Sequence, residues 1–247
     1  MSVKLSVNVN KYALLRNSRG QDTPNLLWAI DTCIAAGAQG ITVHPRLDQR
    51  HIRLDDVPTV AAHLRSQHPG IEYNVECEPA PELLALVSEV RPEQCTLVPV
   101  RPGELTSDHG YREGDVALLV PVVAALKRSG IRVALFADCD PREVRALKAT
   151  GADRVELYTG PYALAWGTSE QKGRTHDVWA SAQAALEVGL GLNAGHDLDR
   201  HNLRGLSGLP GLCEVSIGHS QIVRALEVGT SQSVRELLSA LSGAELT

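Results

Sequence analysis

Hydrophobic and polar positions along this chain follow two rhythms, a period of two and a period near 3.6, and the switch between them recurs eight times. Residues 3–9 (VKLSVNV) alternate as a strand with one buried face does. The chain then turns polar at Asn8, Asn10 and Lys11, and residues 14–25 (LLRNSRGQDTPN) read as a loop holding Arg16, Arg19 and Gly20. Thr23-Pro24 supplies a helix start, with Thr as N-cap and Pro in the first turn. Residues 25–36 carry Leu26, Leu27, Ile30, Cys33 and Ile34 at helical spacing, and Gly37 ends the run. The couplet repeats with strands at 41–44, 72–76, 95–99, 132–137, 154–157, 191–194 and 214–217. Helices are expected at about 55–66, 79–90, 115–129, 140–150, 176–188, 198–206, 220–228 and 231–242. The loop at 158–173 has room for a further short helix.

Strands alternating with helices imply a parallel sheet. Eight units in 247 residues, against the roughly 250 typical of a (β/α)8 barrel, imply closure into a TIM barrel of a single α/β domain spanning 1–247. A flavodoxin-like or Rossmann sheet would ordinarily use five or six strands. No GxGxxG follows the first strand, and no GxxxxGK[ST] occurs.

Composition narrows the partners. Apolar residues make up 43% and charged residues 21%, as in an ordinary globular protein. Aromatics are only 4%, with one Phe, which leaves little surface for stacking bases. A net charge of −5 argues against a general nucleic-acid binder but permits a local basic pocket. Cys33, Cys77, Cys95, Cys139 and Cys213 are scattered and never form CxxC, so they read as reduced thiols of a cytoplasmic protein. The first residues lack a signal-peptide apolar core, and no apolar run is long enough to span a membrane.

In a parallel barrel the residues just past each strand share one mouth. Residues 41–52 (ITVHPRLDQRHI) stand out, because a β-branched strand runs straight into His44, Arg46, Asp48, Arg50 and His51. His44 suits a general acid or base. Glu76, ending YNVE, suits a proton-transferring carboxylate, with Glu78 as the competing choice. NAGHDL and SIGHS place Gly195-His196 and Gly218-His219 after the seventh and eighth strands, where barrels often bind phosphate. Tyr158, Thr159, Asn193 and Thr106 complete the rim. Arg19 before Gly20 suits a mobile loop closing on a phosphate, with Arg46 and His51 serving a second anion; a solvated loop is the plainer reading for Arg16 and Arg19. A zinc site is the rival, but no HxH ends the first strand, and Arg46 stands where a second ligand would.

The motifs VNVNKYALLRNSRG, GITVHPRLDQRHI, LVP followed by LTSDHG, ELYTGPYA, LNAGHDL and SIGH resemble the pyridoxine 5′-phosphate synthase family over nearly the whole chain. The resemblance implies a barrel with extra helices that condenses 1-deoxy-D-xylulose 5-phosphate with 3-amino-2-oxopropyl phosphate. The products are pyridoxine 5′-phosphate, phosphate and water. It implies no metal or organic cofactor, a cytoplasmic homo-octamer built from dimers, and no nucleic-acid or membrane partner. By motif, the proton-transfer residues fall on His44, Glu76 and His196. Substrate and phosphate contacts fall on Asn8, Asn10, Lys11, Arg19, Arg46, His51, Thr106, Gly195, Asp197, Gly218 and His219. The chain departs from the family's usual Asn-x-Asp-His at Asn8-x-Asn10-Lys11, from Gly-His-Gly at Gly195-His196-Asp197, and from His-Thr-Gly at Tyr158-Thr159-Gly160. Two other readings stay open: a phosphosugar isomerase or aldolase, and a non-catalytic barrel that binds a phosphorylated ligand.

Overall fold

The computed structural model describes residues 3–101, 103–104 and 106–243. Eight parallel strands close in sequence order into a barrel, each paired to the next and β8 to β1. They are β1 (Lys4–Asn8), β2 (Gly40–Val43), β3 (Glu72–Cys77), β4 (Gln94–Leu97), β5 (Arg132–Ala137), β6 (Arg154–Tyr158), β7 (Gly191–Gly195) and β8 (Leu212–Ile217). Around them lie α1 (Asn10–Asn17), α2 (Leu26–Ala35), α3 (Asp56–Gln67), α4 (Pro81–Val90), α5 (Val116–Arg128), α6 (Pro141–Leu147), α7 (Gly160–Ala165), α8 (Gln171–Glu187), α9 (His219–Val228) and α10 (Thr230–Leu241). The expected (β/α)8 class holds.

The period of two divides each strand between two environments. Leu5, Val7, Ile41, Val43, Tyr73, Val75, Cys95, Leu97, Val133, Leu135, Val155, Leu157, Val215 and Ile217 are buried in the apolar layer between barrel and helices. The alternate positions point inward, and here the barrel differs from the usual aliphatic filling. Ser6 and Thr42 hydroxyls meet at 2.7 Å, Asn74 Nδ2 donates to Thr42 Oγ1 at 3.3 Å, and Thr96 Oγ1 donates to Asn74 Oδ1 at 3.1 Å. Below them Gln94 and Asn193 side-chain amides donate to Glu214 Oε1 at 3.4 and 3.3 Å. Burial pushes the Glu214 carboxyl up to about 7, with Glu72 adding to the rise. The interior is a hydrogen-bonded polar column, which leaves the upper end free of bulky aliphatic plugs.

Several expectations needed correction. The loop assigned to residues 14–25 begins as α1, which buries Tyr12, Ala13 and Arg16. With both Leu14 and Leu15 exposed, its apolar face is too weak to be read from the pattern. Arg16 is no solvated loop residue: Nη1 and Nη2 reach Asp56 Oδ1 and Oδ2 at 2.7 and 2.8 Å. The cap of α2 is Asn25, whose Oδ1 accepts from Trp28 N at 2.9 Å, and Thr23-Pro24 precedes it as a cis peptide. The helix expected at 176–188 starts earlier, at Gln171, and the one expected at 198–206 is a 3-10 turn over Asn202–Leu206. The short helix allowed for in the loop after β6 is α7. All five cysteines are free thiols.

Candidate active site

A cavity of about 570 Å³ opens at the C-terminal ends of the strands, a size ordinary for small-molecule sites. Asn8, Asn10, Lys11, His44, Arg46, His51, Glu76, Thr106, His196, Asp197, Gly218 and His219 all line it, so residues from six strand ends converge. Arg19 is exposed and lies outside the lining. Gly195 lies outside it too, yet shapes it: a Cβ there would overlap the Glu156 carboxyl. A Cβ on Gly218 would stand 2.9 Å from the Asn8 carbonyl oxygen, so glycine lets β8 and β1 close up at the rim.

The first strands hold a linked set. Asn8 Oδ1 accepts from Asn10 N at 3.0 Å, and Asn10 Oδ1 accepts from His44 N at 2.9 Å, fixing the backbone of β2 where it enters its loop. Asn10 therefore acts through its amide oxygen. Glu76 Oε2 lies 3.2 Å from His44 Nδ1 and accepts from Asn8 Nδ2 at 3.4 Å. With Nδ1 committed to Glu76, the buried His44 Nε2 has no protein partner. That imidazole is oriented by a carboxylate on one side and unsatisfied on the other, as a general base requires. Glu78 lines a separate pocket with His109 and Arg112, which separates the two glutamates by position.

His51 completes this wall. Its ring sits 6.2 Å from that of His44. Burial, reinforced by His44, Arg46, Lys11 and Arg50, pushes its pKa down to about 3, so it is neutral. Its Nδ1 accepts from Ile52 N at 2.9 Å, which leaves the proton on Nε2 as a donor. Arg46 is buried against Glu104, both terminal nitrogens at 3.3 Å from Oε1, and reaches Ser107 Oγ at 3.3 Å. Arg50 pairs with Asp48 and donates to the Glu104 carbonyl at 3.0 Å.

The opposite wall is built on β6 to β8. His196 Nδ1 lies 2.9 Å from Asp197 Oδ2, its Nε2 lies 3.0 Å from Thr106 Oγ1, and Tyr158 packs edge-on at 5.0 Å. The His196 hydrogen bond holds the Asp197 carboxyl below its usual range, aided by the charges of His219 and Lys11. His196 and Asp197 have φ of +81° and +58°, left-handed values costly for residues with a Cβ. Thr159 steadies this turn by donating from Oγ1 to the Gly195 and His196 carbonyls at 2.6 and 2.7 Å. Gly218 then caps α9, whose first residues His219 and Ser220 line the cavity beside Lys11. A helix N-terminus next to an ammonium and an imidazole favours an anion.

Glu156 lies within β6 and not past its end, so the pattern of strand-end residues does not point to it. It lies on the cavity floor, buried and 3.5 Å from Thr96 Oγ1. Burial, with Glu76 and Glu214 nearby, raises its carboxyl well above the usual range, which favours the neutral form. The signal was present: in RVELY an acid occupies the inward position between outward Val155 and Leu157.

The model of the family described as "Pyridoxal phosphate biosynthesis protein PdxJ" matches residues 5–243. Curated relatives named pyridoxine 5′-phosphate synthase include those of Albidiferax ferrireducens, 47% identical with 98% of each chain covered, and Xanthomonas campestris pv. campestris, 48% identical with 100% of this chain and 99% of the relative covered. Another, from Leptospira biflexa, is 46% identical over 97% of each chain. Among solved structures, the tryptophan synthase A-subunit of Pyrococcus furiosus superposes with a TM-score of 0.64 at 14% identity, covering 96% of this chain and 98% of that one. Phosphoribosyl anthranilate isomerase of Thermus thermophilus gives 0.61 at 15% identity, covering 98% and 99%. At such identities these two speak for the fold alone.

Proposed function

The chain belongs to the family of the pyridoxal phosphate biosynthesis protein PdxJ, and from that premise we propose how its barrel mouth carries out the family reaction. That reaction, in vitamin B6 biosynthesis, condenses 1-deoxy-D-xylulose 5-phosphate with 3-amino-2-oxopropyl phosphate to pyridoxine 5′-phosphate, phosphate and water.

The observation that carries the residue assignment is the His44–Glu76 pair, with His44 Nε2 buried and unpartnered in the cavity that His196 also lines. In our reading the amine of one substrate attacks a carbonyl of the other, and loss of water gives an imine. A proton leaves the adjoining carbon to His44 or Glu76 as phosphate departs. Aldol-type closure and a second loss of water, with His196 returning protons, give the pyridine ring. Each positioned proton transfer is worth about 10²–10⁴ in rate. The neutral Glu156 and the Nε2–H of His51 serve as hydrogen-bond donors to developing oxyanions.

For the phosphates we assign one anion site to the α9 N-terminus with Gly218, His219 and Lys11. The other we assign to Arg46 and His51, with Thr106 at the rim. Lys11 contacts substrate and forms no covalent imine, since a substrate already provides the amine. Arg19, exposed beside the mouth, reaches a phosphate when its loop folds over, and Asp197 holds the His196 ring. We further read the chain as a single cytoplasmic barrel domain and, from the family resemblance, as an octamer of dimers. Among the described residues no helix is long and apolar enough to cross a membrane. Its free thiols support a reducing compartment.

Incubation with both substrates, following product absorbance, tests the assignment. Product formation that collapses in His44→Ala while substrate binding persists supports it. Product binding without turnover would instead point to a ligand-binding barrel.

A further inference from the structure

We propose that Asp31, His63 and His68 form a site for one divalent transition-metal ion, with zinc the best match, on the outer face of the barrel. Asp31 lies on α2, His63 near the end of α3 and His68 at its C-cap. None of the three lines the mouth cavity, so the site is independent of the chemistry there.

The three side chains converge on one point. His63 Nε2 lies 2.6 Å and His68 Nε2 lies 2.7 Å from the same oxygen, Asp31 Oδ1. The two rings meet edge to face, centroids 5.5 Å apart. All three potential ligand atoms lie within 4.8 Å of one another. Two imidazole nitrogens from one helix end are thus aimed at a single carboxylate oxygen of the neighbouring helix. Among the described residues none of these side chains has another side-chain partner. Arg65, on the same helix, directs its guanidinium to the Val90 and Arg91 carbonyls and leaves the carboxylate to the imidazoles.

The two imidazole–carboxylate distances are already close to those around an ion. Donors about 2.0–2.1 Å from a tetrahedral zinc lie roughly 3.3 Å apart, so Asp31 Oδ1 retreats by about 0.6 Å. The Asp31 side chain is 46% exposed and has the freedom to do so. The histidines are held more firmly. His63 belongs to a helix, while His68 N donates to the Leu64 carbonyl at 2.8 Å and its own carbonyl accepts from Ile71 N at 3.1 Å. Two imidazoles with one carboxylate suit zinc, nickel or copper, whereas magnesium and calcium prefer all-oxygen shells. Three protein ligands leave a fourth position for water. The ion would tie α2 to α3, adding a cross-link between two outer helices.

The test is titration of chelator-stripped full-length protein with zinc chloride by calorimetry near neutral pH, with cobalt(II) as a spectroscopic probe of tetrahedral geometry. One ion per chain is expected, with affinity falling as pH drops and the imidazoles protonate. His63→Ala and His68→Ala should each weaken binding by at least about tenfold, since removing even an outer-shell partner of a ligand costs that much. kcat for the condensation should stay at the native value in both. Circular dichroism confirms that the variants fold, and His63→Gln with His68→Gln serve if the alanine variants do not. Absence of saturable binding to the native protein would overturn the proposal. So would undiminished binding in the His63→Ala/His68→Ala double variant, which would put the ion elsewhere, for example at Glu104, Asp108 and His109.

Discussion

Glu76→Gln is the substitution that separates a proton-transfer dyad from a mere hydrogen bond. The amide keeps the shape of the carboxylate and can still accept from His44 Nδ1 and Asn8 Nδ2. What it loses is the negative charge opposite an imidazolium. At 3.2 Å, and at an effective dielectric of about 20, that attraction is worth about 5 kcal/mol. The neutral hydrogen bond that remains returns about 1 kcal/mol. The transition state that places a proton on His44 therefore loses about 4 kcal/mol, close to a thousandfold in kcat. KM should change little, because Glu76 is assigned to no phosphate and removing an anion does not weaken anion binding. Steady-state and single-turnover assays with both substrates give the two constants separately. His44→Ala alone should lose at least about a hundredfold in kcat. If the residues act as one unit, the double variant should be no worse than the weaker single variant. A Glu76→Gln enzyme within about threefold of native kcat, or a double variant whose loss is the product of the single losses, would refute the dyad.

Arg19→Ala should raise KM for a phosphorylated substrate by about tenfold at nearly constant kcat; an unchanged KM would show that the loop does not close on phosphate. Asp56→Asn strands the buried Arg16 guanidinium, whose side chain is 5% exposed, and should cost about 3–5 kcal/mol in urea denaturation. His51 stays neutral in the native state down to about pH 3, whereas in the unfolded chain it protonates below its ordinary 6.5. Stability should therefore fall as pH drops from 6.5 towards 3, and His51→Gln should flatten that limb; NMR titration of the ring near 6.5 would contradict this. Glu156 behaves oppositely, since burial favours its protonated form in the native state, whereas the unfolded chain releases that proton above about pH 4.5. Glu156→Gln should thus raise the melting temperature at pH 8 and leave it nearly unchanged near pH 4, and equal shifts at both would refute a protonated Glu156.

Strand positions and barrel closure were legible because the period of two survives in most strands, with the continuous apolar run RVALFA of β5 an exception: outward Leu, Ile and Val share one chemistry, and only their spacing matters. Strand-end residues were legible for a related reason, since in a parallel barrel topology alone brings them to one mouth. Pairings were not. Nothing in LLRNSRG shows that Arg16 turns inward to Asp56 while Arg19 stays outside, because that choice belongs to the helical phase of α1 and to a carboxylate 40 residues away. Equally, Arg46 and Arg50 read as open cations, but the chain returns Glu104 to one and Asp48 to the other. Local composition indicates which charges exist; only tertiary placement shows which of them have a carboxylate beside them.

The polar interior connects these points. An aliphatic barrel core could not leave Glu156 and Glu76 at different levels of one hydrogen-bonded column. Glu76 is met by two side-chain nitrogens, Asn8 Nδ2 and His44 Nδ1. Glu156, deeper and met by a threonine hydroxyl, has its carboxyl raised well above the usual range by burial. Two carboxyls of one cavity thus sit in different surroundings, one met by donors near the rim and one buried on the floor. A ring-forming condensation needs both at once: a base to remove carbon-bound protons, and donors to steady the oxygen that gains charge. The left-handed turn at His196 and Asp197 fits the same logic. Its backbone cost sets an imidazole between the Asp197 carboxylate and the Thr106 hydroxyl, facing the cavity from the other side. His44 and His196 thus face one cavity from different walls.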